Sequence, residues 1–356
     1  MRIVDYEVRP LAVPCEPPIS DSQYEFDTAG VAVLELEADT GEVGVGLGGV
    51  SASLPAGAVR ERVADVAEDL CGDSPFHHKA RTRRPRGGAY GDPNYGGRHG
   101  AVDVALWDLC GKHLGLPLYE LLGGTDPAVP AYASGLHFSL DDAVTRERYE
   151  AYADAGFDAA KVKVGYPALG EDLERIDLVR DAMGDPEIMV DANEAWSPKE
   201  AIRRVRAYRD AGVDLRWVED PILRDDVDGY RRVVEALPDT HVNTGEYVNL
   251  EGKRRLLERG AVDVLHLSGG YVSTALEAAR LGAAFGVPVA LHDTVAHLCV
   301  HLAAALPELA LMEYWPRPWE RLVEDGVAVE DGTLIAPDRP GHGIVLDEDA
   351  LEAYAR

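Results

Sequence analysis

The sequence predicts an α/β fold, a (β/α)8 barrel of parallel strands preceded by a smaller α+β region. After about residue 126, eight short apolar segments alternate with amphipathic stretches, and this alternation is typical of a parallel sheet with crossover helices. The 356 residues suffice for two domains at roughly 150 residues each. Hydrophobic residues make up 46% of the chain, which supplies a core and excludes disorder as the main state.

An open, doubly wound sheet shows the same alternation and is the structural alternative. That fold often carries a glycine-rich dinucleotide turn after its first strand. The sequence has no such turn there, which favours the closed barrel.

The N-terminal region combines period-two strands with helices. Residues 3–8 and 31–37 alternate as antiparallel strands do. Between them, 15–24 is a polar, proline-bearing segment, and 46–51 is glycine-rich; we expect both to be loops. From about residue 58 to 122 the periodicity is helical, and the apolar stretch 101–109 predicts a buried helix.

The candidate barrel strands follow at regular intervals. They are 131–135, 159–164, 188–191, 215–219, 241–246, 262–266, 287–292 and 309–314. The tail after 316 is acidic and turn-rich, and 327–330 with 334–336 predicts a hairpin. We therefore divide the chain into an N-terminal part, 1–125, a barrel, 126–316, and a C-terminal segment, 317–356, that returns to the N-terminal part.

The charge excludes two classes of partner. Asp and Glu number 63 against 35 Lys and Arg, a net charge of −28, so the surface repels nucleic acid and anionic membranes. Only six of the positive charges are lysines. An acid-rich, lysine-poor surface predicts a salt-requiring, halophilic protein, because salt screens self-repulsion. An acidic mesophilic enzyme is the alternative.

The remaining global features indicate an intracellular protein. The four cysteines, Cys15, Cys71, Cys110 and Cys299, form no CxxC or CxH pair, so neither a disulfide framework nor a zinc cluster is indicated. No apolar run approaches the ~18–20 residues of a membrane span, and the N-terminus lacks a signal-peptide stretch. We expect a cytoplasmic location.

Three acidic residues end three successive candidate strands. Asp191, Glu219 and Glu246 are spaced by 28 and 27 residues, about one β/α unit. Strand-end residues of a parallel barrel face one mouth, where active sites of this fold lie. Clustered carboxylates repel one another unless a hard cation binds them, and oxygen ligands suit Mg²⁺. The alternative is that each acid caps a helix or pairs with an arginine.

Two lysines lie on the preceding strand. Lys161 and Lys163 are two residues apart, so their side chains point to the same side, the barrel interior. Next to each other and to a divalent cation, their pKa should fall, which would prepare one as a general base. The alternative is that both neutralise the carboxylates.

The last two strands carry a possible acid. His292 ends the seventh strand and could exchange a proton opposite the lysines, while Glu313 on the eighth could hydrogen-bond a developing oxyanion if protonated. His297 and His301 have metal-ligand spacing but lack the Glu of an HExxH motif, so we interpret them as packing or surface residues. The set indicates proton abstraction beside a carboxylate, through an enediolate stabilised by Mg²⁺.

These residues and their order give a family resemblance. The chain resembles the mandelate racemase/muconate lactonising branch of the enolase superfamily over essentially its whole length. The matching segments are 105–109, 115–118, 121–124, 161–163, 190–193, 218–221, 244–246, 285–289 and 312–314.

The resemblance implies a modified (β/α)8 TIM-type barrel under an α+β capping domain. It implies Mg²⁺ held by Asp191, Glu219 and Glu246, with Lys163 as base and Lys161 tuning it or touching the substrate carboxylate. Capping segments around 17–24 and 46–51 would close over the substrate, and homo-oligomers from dimer to octamer are expected.

One departure from the family pattern bears on the reaction. An aspartate at the end of strand six normally orients the histidine of strand seven, but here that slot holds His266, Leu267 or Ser268. An imidazole without a carboxylate partner is a poorer base but still donates a proton. This favours His292 as acid over two-base racemisation. No lysine occurs between 260 and 292, which disfavours branches that use a lysine on strand six.

The sequence therefore predicts a Mg²⁺-dependent dehydratase of an acid sugar, with a 2-keto-3-deoxy product. Asn193, Tyr24 and His266 are the predicted substrate-binding residues, and the partner is a small-molecule carboxylate. The alternatives are a racemase, epimerase or lactone cycloisomerase using the same enediolate. A barrel that binds metal and ligand without turnover is the alternative from another class.

Overall fold

A computed structural model describes residues 1–51, 56–77, 97–135, 138–268, 271–292 and 294–356. Within these residues the predicted barrel is present and closed. Its strands are β4 (Ala128–Ala133), β5 (Ala159–Lys163), β6 (Glu187–Asp191), β7 (Leu215–Glu219), β8 (His241–Thr244), β9 (Val264–Ser268), β10 (Val289–His292) and β11 (Leu309–Tyr314). Each pairs in parallel with the next, and β11 pairs with β4. This closure excludes the open doubly wound sheet.

Helices connect successive barrel strands on the outside. They span Asp142–Asp154, Leu169–Met183, Pro198–Asp210, Val227–Ala236, Leu250–Glu258, Val272–Phe285 and Ala296–Ala304. Several begin at a side chain that accepts a hydrogen bond from the first turn, as Ser197 does from the Glu200 amide and Asp141 from the Val144 amide. Such caps satisfy otherwise free helix amides, which is why the helices begin at these residues.

The barrel interior is apolar toward the amino ends of its strands and polar toward their carboxyl ends. Inward side chains of the lower layer form a closed cluster: Tyr132, Ala159, Met189, Trp217, Val264, Ala290 and Leu311. Residues two positions further along these strands point the same way and include Lys161, Glu219 and His292. The apolar layer therefore carries a polar layer at the carboxyl ends of the strands, where barrel enzymes place their chemistry.

The N-terminal region is an antiparallel sheet covered by helices. Its strands are β1 (Ile3–Ser20), β2 (Glu25–Ala38) and β3 (Val43–Ser51), in that spatial order. The helices span Ala56–Glu68, Gly97–Leu114 and Leu118–Leu121, with 3-10 turns at Pro75–His77 and, after the barrel, Pro318–Leu322. Together with the barrel, this is the predicted α+β capping domain on a modified TIM barrel.

The prediction of two loops in this region is wrong. β1 continues to Ser20, so only the residues between β1 and β2 form a turn. The glycine-rich segment 46–51 belongs to β3. Its glycines allow close packing: a Cβ on Gly46 would lie 1.9 Å from the carbonyl oxygen of Ala101 in the helix Gly97–Leu114. Glycine here marks a close approach of strand and helix.

The C-terminal tail contacts both regions. The predicted hairpin forms as β12 (Ala328–Glu330) and β13 (Thr333–Ile335), and β13 pairs with barrel strand β4. Further on, the His342 ring lies 2.8 Å from the carbonyl oxygen of Val45 in the capping sheet, and a last helix spans Glu348–Tyr354. The tail thus ties the capping sheet to the barrel, while the boundaries 1–125, 126–316 and 317–356 remain predictions.

No helix in the described part of the chain is both long and apolar enough to cross a bilayer.

Candidate active site

Strand register brings the polar side chains to one mouth of the barrel. Lys163 pairs with Asp191, Asp191 with Glu219, and Glu219 with Asn243. Register partners on parallel strands present their side chains to the same face of the sheet. A lysine, two carboxylates and an amide therefore follow one another around the rim.

The two lysines make separate sets of contacts. Lys161 Nζ lies 2.6 Å from Glu219 Oε1, 2.9 Å from Glu313 Oε1 and 3.5 Å from Asp191 Oδ2. Lys163 Nζ donates to Asp191 Oδ2 at 2.5 Å and to Asn193 Oδ1 at 2.7 Å. Both side chains are buried. Lys161 thus holds three carboxylates together from below, and Lys163 lies at the rim.

The expected fall in the lysine pKa is not found at Lys161. Burial acts to lower this pKa, but Glu219, Glu313 and Asp191 raise it well above its usual value. The surrounding carboxylates therefore outweigh desolvation. A bound divalent cation would act in the opposite direction, because its charge disfavours a neighbouring ammonium.

The carboxylates form a buried cluster that fits a magnesium ion. Burial acts to raise the pKa of Asp191, yet Lys163 and Lys161 hold it at about 2. Burial raises the pKa of Glu219 well above its usual value. Lys161 acts to lower this pKa, and Asp191, Glu313 and Glu246 act to raise it. The two lysines do not fully compensate the negative charge of these carboxylates. Because the carboxylates are oxygen donors, the cluster suits a hard divalent cation.

The third predicted ligand is offset from the other two. β8 ends at Thr244, and Asn243 holds the register position beside Glu219. Glu246 lies two residues beyond the strand, after Gly245 with φ of +135°. The prediction that the strand extends from 241 to 246 and ends at Glu246 is therefore wrong, because the strand stops at Thr244 and the chain turns at Gly245. Buried Lys253 donates to the carbonyl oxygens of Gly245 and Val248 and fixes this turn.

Left-handed backbone conformations follow β6 and β7. Asn193 has φ of +43° and Asp220 has φ of +37°, which is costly for non-glycine residues. The amide of Asn193 donates to Asp191 Oδ1 at 2.9 Å, and the Asn193 carbonyl accepts from Ser22 and Gln23 of the capping domain. The strained turn thus orients Asp191 and connects the rim to the capping domain.

His292 lies among charged groups on the far side of the mouth. Its Nδ1 lies 2.8 Å from Glu313 Oε2 and 3.4 Å from Glu246 Oε2, and its Nε2 lies 3.4 Å from an Arg317 nitrogen. Burial acts to raise the pKa of Glu313, but Lys161, His292 and Arg317 hold it well below its usual value. This direction favours the carboxylate form of Glu313, and a role of Glu313 toward a developing oxyanion stays a prediction.

His266 lies one layer deeper than His292, in register with Ala290. It is fully buried, and burial lowers its pKa to about 3, so the ring is neutral. Its Nδ1 lies 3.5 Å from Glu219 Oε1. Potential ligand atoms of Glu246, His266 and His292 also lie within 4.8 Å of one another. This nitrogen-rich set competes, as a possible metal site, with the all-oxygen set and would suit a transition metal.

The structure brings most predicted site residues together and leaves one outside. Tyr24 is 67% exposed in the turn between β1 and β2, while its neighbours Ser22 and Gln23 reach the carbonyl oxygen of Asn193. Its role in substrate binding remains a prediction, as do those of Asn193 and His266. Within the predicted closing segment 17–24, Ser22 and Gln23 contact the rim. Closure over the substrate by the segments 17–24 and 46–51 remains a prediction.

Sequence reasoning missed several residues that orient the site. Asn243 Nδ2 donates to Glu219 Oε2 at 3.2 Å, and Ser134 Oγ donates to Glu313 Oε1 at 2.6 Å. Both lie at barrel-strand ends, so strand-end position was the available signal. Arg317 lies beyond the last barrel strand, and nothing in its local sequence marks it.

Two models of known protein families match the chain. A family model described as "Mandelate racemase / muconate lactonizing enzyme, N-terminal domain" matches residues 3–123. A second, described as "Enolase C-terminal domain-like", matches residues 144–350. Together they span most of the chain.

Individual relatives have different activities. The chain is similar to a 3,6-anhydro-alpha-L-galactonate cycloisomerase of Streptomyces coelicolor, with 37% identity over 74% of this chain and 75% of the relative. It is also similar to an L-talarate/galactarate dehydratase of Salmonella typhimurium, with 31% identity over 95% of this chain and 87% of the relative.

Solved structures resemble the whole chain. The Salmonella dehydratase, liganded with Mg and L-lyxarohydroxamate, has a TM-score of 0.88 and 26% identity, covering 100% of this chain and 93% of the other. A racemase from Streptomyces coelicolor with bound magnesium has a TM-score of 0.87 and 30% identity, covering 99% and 100%.

Proposed function

Because the chain belongs to the mandelate racemase/muconate lactonizing enzyme branch of the enolase superfamily, we propose that it is a magnesium-dependent dehydratase of an acid sugar, an aldonate or aldarate. Its relatives include both lyases and isomerases. The proposed reaction removes the proton at C2, next to the carboxylate, and expels the C3 hydroxyl as water to leave a 2-keto-3-deoxy product.

Magnesium is the cofactor of this family, as the magnesium-bound neighbours show. We propose that Asp191, Glu219 and Glu246 hold it here. When bound, the ion would supply Lewis-acid stabilisation of the substrate carboxylate and of the negative charge that develops on it. Asn243 and Lys161 would orient Glu219, since both contact its carboxylate oxygens.

Lys163 is the proposed base. Its amine takes the C2 proton, and the electrons of the broken C–H bond pass into the carboxylate to form the enediolate. Lys161 lies below it, where it compensates the carboxylates Glu219, Glu313 and Asp191. Its contacts with three fixed acids suit a supporting electrostatic role.

His292 is the proposed acid. It gives a proton to the C3 hydroxyl as the C3–O bond breaks and the enediolate electrons form the C2–C3 double bond, which leaves an enol and water. The enol then takes up a proton at C3 and becomes the 2-keto acid. Glu313 contributes the negative charge beside the His292 ring.

The placement of Lys163 and His292 carries this proposal. Lys163 ends β5, and His292 ends β10. Around the closed barrel these strands are three steps apart through β11 and β4, and five steps apart the other way. A base and an acid thus face one mouth from nearly opposite sides, with the buried carboxylates on neighbouring strands.

The cycloisomerase relative favours a second candidate. A 3,6-anhydro sugar acid carries an ether oxygen at C3 where an ordinary sugar acid carries a hydroxyl. Expelling this oxygen from the same enediolate would open the ring without losing water. The 37% identity to the Streptomyces coelicolor cycloisomerase is the observation that favours this candidate.

Product analysis distinguishes the candidates. The purified enzyme is incubated with Mg²⁺ and a panel of aldonates, aldarates and 3,6-anhydrogalactonate in D₂O, and the products are identified by NMR and mass spectrometry. The dehydratase proposal predicts a 2-keto product lighter by one water from an aldonate or aldarate. Turnover of the anhydro acid alone to a product of unchanged composition, apart from deuterium taken up from the solvent, would establish the cycloisomerase. Recovered substrate with deuterium at C2 and inverted configuration would establish an epimerase.

A further inference from the structure

We propose that Glu313 is a positioning residue that fixes the tautomer and orientation of His292. It would supply from β11 the carboxylate that neighbouring strand β9 does not provide. The inference rests on the proposed function in one respect, the assignment of His292 as the acid, and it deepens that assignment.

Strand β9 has a serine, not an acidic residue, at the position beside His292. The register partner of His292 on β9 is Ser268. The whole strand, Val264–Ser268, contains no acidic residue. On the other side of β10, the inward-facing position of β11 is Glu313, whose Oε2 lies 2.8 Å from His292 Nδ1. The two atoms do not form a well-aligned hydrogen bond here, and catalytic contacts are often poorly aligned without substrate and tighten when it binds.

Glu313 is itself held firmly. Its Oε1 accepts from Ser134 Oγ at 2.6 Å and lies 2.9 Å from Lys161 Nζ. The side chain is fully buried. With Oε1 engaged by two donors, Oε2 is directed toward His292, and Arg317 lies 3.5 Å from the same oxygen. Because the Glu313 carboxylate is fixed in this way, it can fix the orientation of the His292 ring.

The groups around the two ring nitrogens select one tautomer. The carboxylate of Glu313 faces Nδ1 at 2.8 Å, and a carboxylate only accepts hydrogen bonds. An Arg317 nitrogen faces Nε2 at 3.4 Å, and a guanidinium only donates them. In the neutral ring the proton therefore belongs on Nδ1. When the ring is doubly protonated, Nε2 carries the proton that His292 gives to the C3 hydroxyl, and Nδ1 keeps its own proton toward Glu313. Asp of a Ser-His-Asp triad acts on its histidine in the same way.

The tautomer is measurable without any substrate. In enzyme labelled with ¹⁵N-histidine, the His292 signals are identified by their loss in His292→Gln, and their shifts report which nitrogen carries the proton. We expect the Nδ1–H tautomer in the wild type. In Glu313→Gln the amide can donate as well as accept, so we expect a mixture. An unchanged His292 spectrum in Glu313→Gln would overturn the proposal.

Kinetics in D₂O separate positioning from general damage. Exchange at C2 depends on Lys163, whereas elimination also needs His292. We expect Glu313→Gln to lower elimination by about 10²–10⁴-fold, the range of general acid catalysis, with exchange at C2 retained. Equal losses of exchange and elimination would overturn the proposal, because Glu313 would then act on the whole site.

Two further measurements keep the outcomes distinct. If Glu313→Gln does not fold, Ser134→Ala is used instead, because it removes one hydrogen-bond donor to Glu313 and leaves the charge of Glu313 in place. We expect a smaller loss of elimination, again with exchange at C2 retained. Equal losses of elimination and exchange in Ser134→Ala would also overturn the proposal. If the wild type neither exchanges nor eliminates any sugar acid of the panel, the proposed function fails, and the tautomer measurement alone decides on Glu313.

Discussion

The buried charges of the barrel mouth are arranged for chemistry rather than for stability. Lys161 contacts three carboxylates, from Glu219, Glu313 and Asp191, and all four side chains are buried. Burying ions is costly, and even a well-paired buried cluster is often no more stable than apolar side chains of similar size. Such a cluster therefore indicates a site where charge is needed.

Replacing the proposed base tests the chemistry at a single residue. Lys163→Ala removes the amine that contacts Asp191 and Asn193. We expect deuterium incorporation at C2 to fall by about 10²–10⁴-fold, the usual contribution of a general base. The exchange is followed by ¹H NMR of a turned-over sugar acid in D₂O.

Lys199→Ala is the matched control, because Lys199 is exposed at the start of a barrel helix. It should leave exchange unchanged. Wild-type exchange in Lys163→Ala, with binding of Mg²⁺ intact, would rule out Lys163 as the base.

Strand-end position predicted several site residues, and contacts distant in sequence decided the rest. Lys161 and Lys163 follow from period-two spacing on a buried strand, and Asp191 and Glu219 follow from their positions at strand ends. The structure places these four residues together. The state of Glu313 could not be predicted, since it depends on Lys161 and on Ser134, which is 179 positions away in the chain. The offset of Glu246 depends on how the backbone turns after β8.

At the scale of elements, the packing of β3 against its helix depends on glycine. Gly44, Gly46 and Gly48 alternate along one face of the strand, and a Cβ on any of them would come within 3.0 Å of Ala101 or Ala105 atoms. Gly46→Ala should therefore destabilise the protein by about 1–3 kcal/mol, as overpacking does. Urea unfolding followed by circular dichroism measures the change.

Gly170→Ala is the control for Gly46→Ala. Gly170 lies in the helix Leu169–Met183, and a Cβ there would meet nothing within 4 Å. The substitution should be neutral or stabilise by up to about 1 kcal/mol, because alanine favours helix. Equal stability of Gly46→Ala and the wild type would contradict the close approach described for β3.

Barrel strands were predictable and the capping segments were not, for a physical reason. A buried parallel strand is a short apolar run, and the predicted strand 215–219 coincides with β7. Glycine, in contrast, serves both loops and close packing, so 46–51 could not be assigned without knowing that Ala101 lies against it. Strand β1 likewise continues through prolines because its partner β2 is long enough to pair with Ser20.

At the scale of the whole molecule, His301 joins the barrel to the tail. Its Nδ1 accepts from the Tyr119 amide at 3.2 Å, and its Nε2 lies 3.2 Å from the carbonyl oxygen of His342. Burial lowers the pKa of His301 from 6.5 to about 3. Between about pH 3 and pH 6.5, His301 binds a proton in the unfolded chain but not in the folded chain. The contribution of neutral His301 to the free energy of unfolding is therefore fully present above pH 6.5 and is lost as the pH falls.

His301→Gln should therefore weaken the pH dependence of unfolding. The wild type should lose up to about 1.4 kcal/mol per pH unit from this group below pH 6.5, and the variant should lack that slope. Urea unfolding at several pH values measures it, with His241→Gln, exposed at the start of β8, as control. Parallel slopes in His301→Gln and the wild type would contradict this role.

The net charge of −28 predicts a salt dependence of the whole fold. Raising KCl from about 0.1 M to about 1 M shortens the Debye length from about 10 Å to about 3 Å and should screen the self-repulsion. We expect the unfolding temperature, measured by calorimetry, to rise across this range. A temperature that stays constant would instead favour the acidic mesophilic alternative.

The most direct test of the account is to locate the metal. Mn²⁺, which takes the oxygen ligands that suit Mg²⁺, is soaked into crystals, and its anomalous signal is mapped. We predict one peak bound by oxygens of Asp191, Glu219 and Glu246. A peak at the nitrogen-rich set of Glu246, His266 and His292 instead, or none among the three acids, would contradict the account.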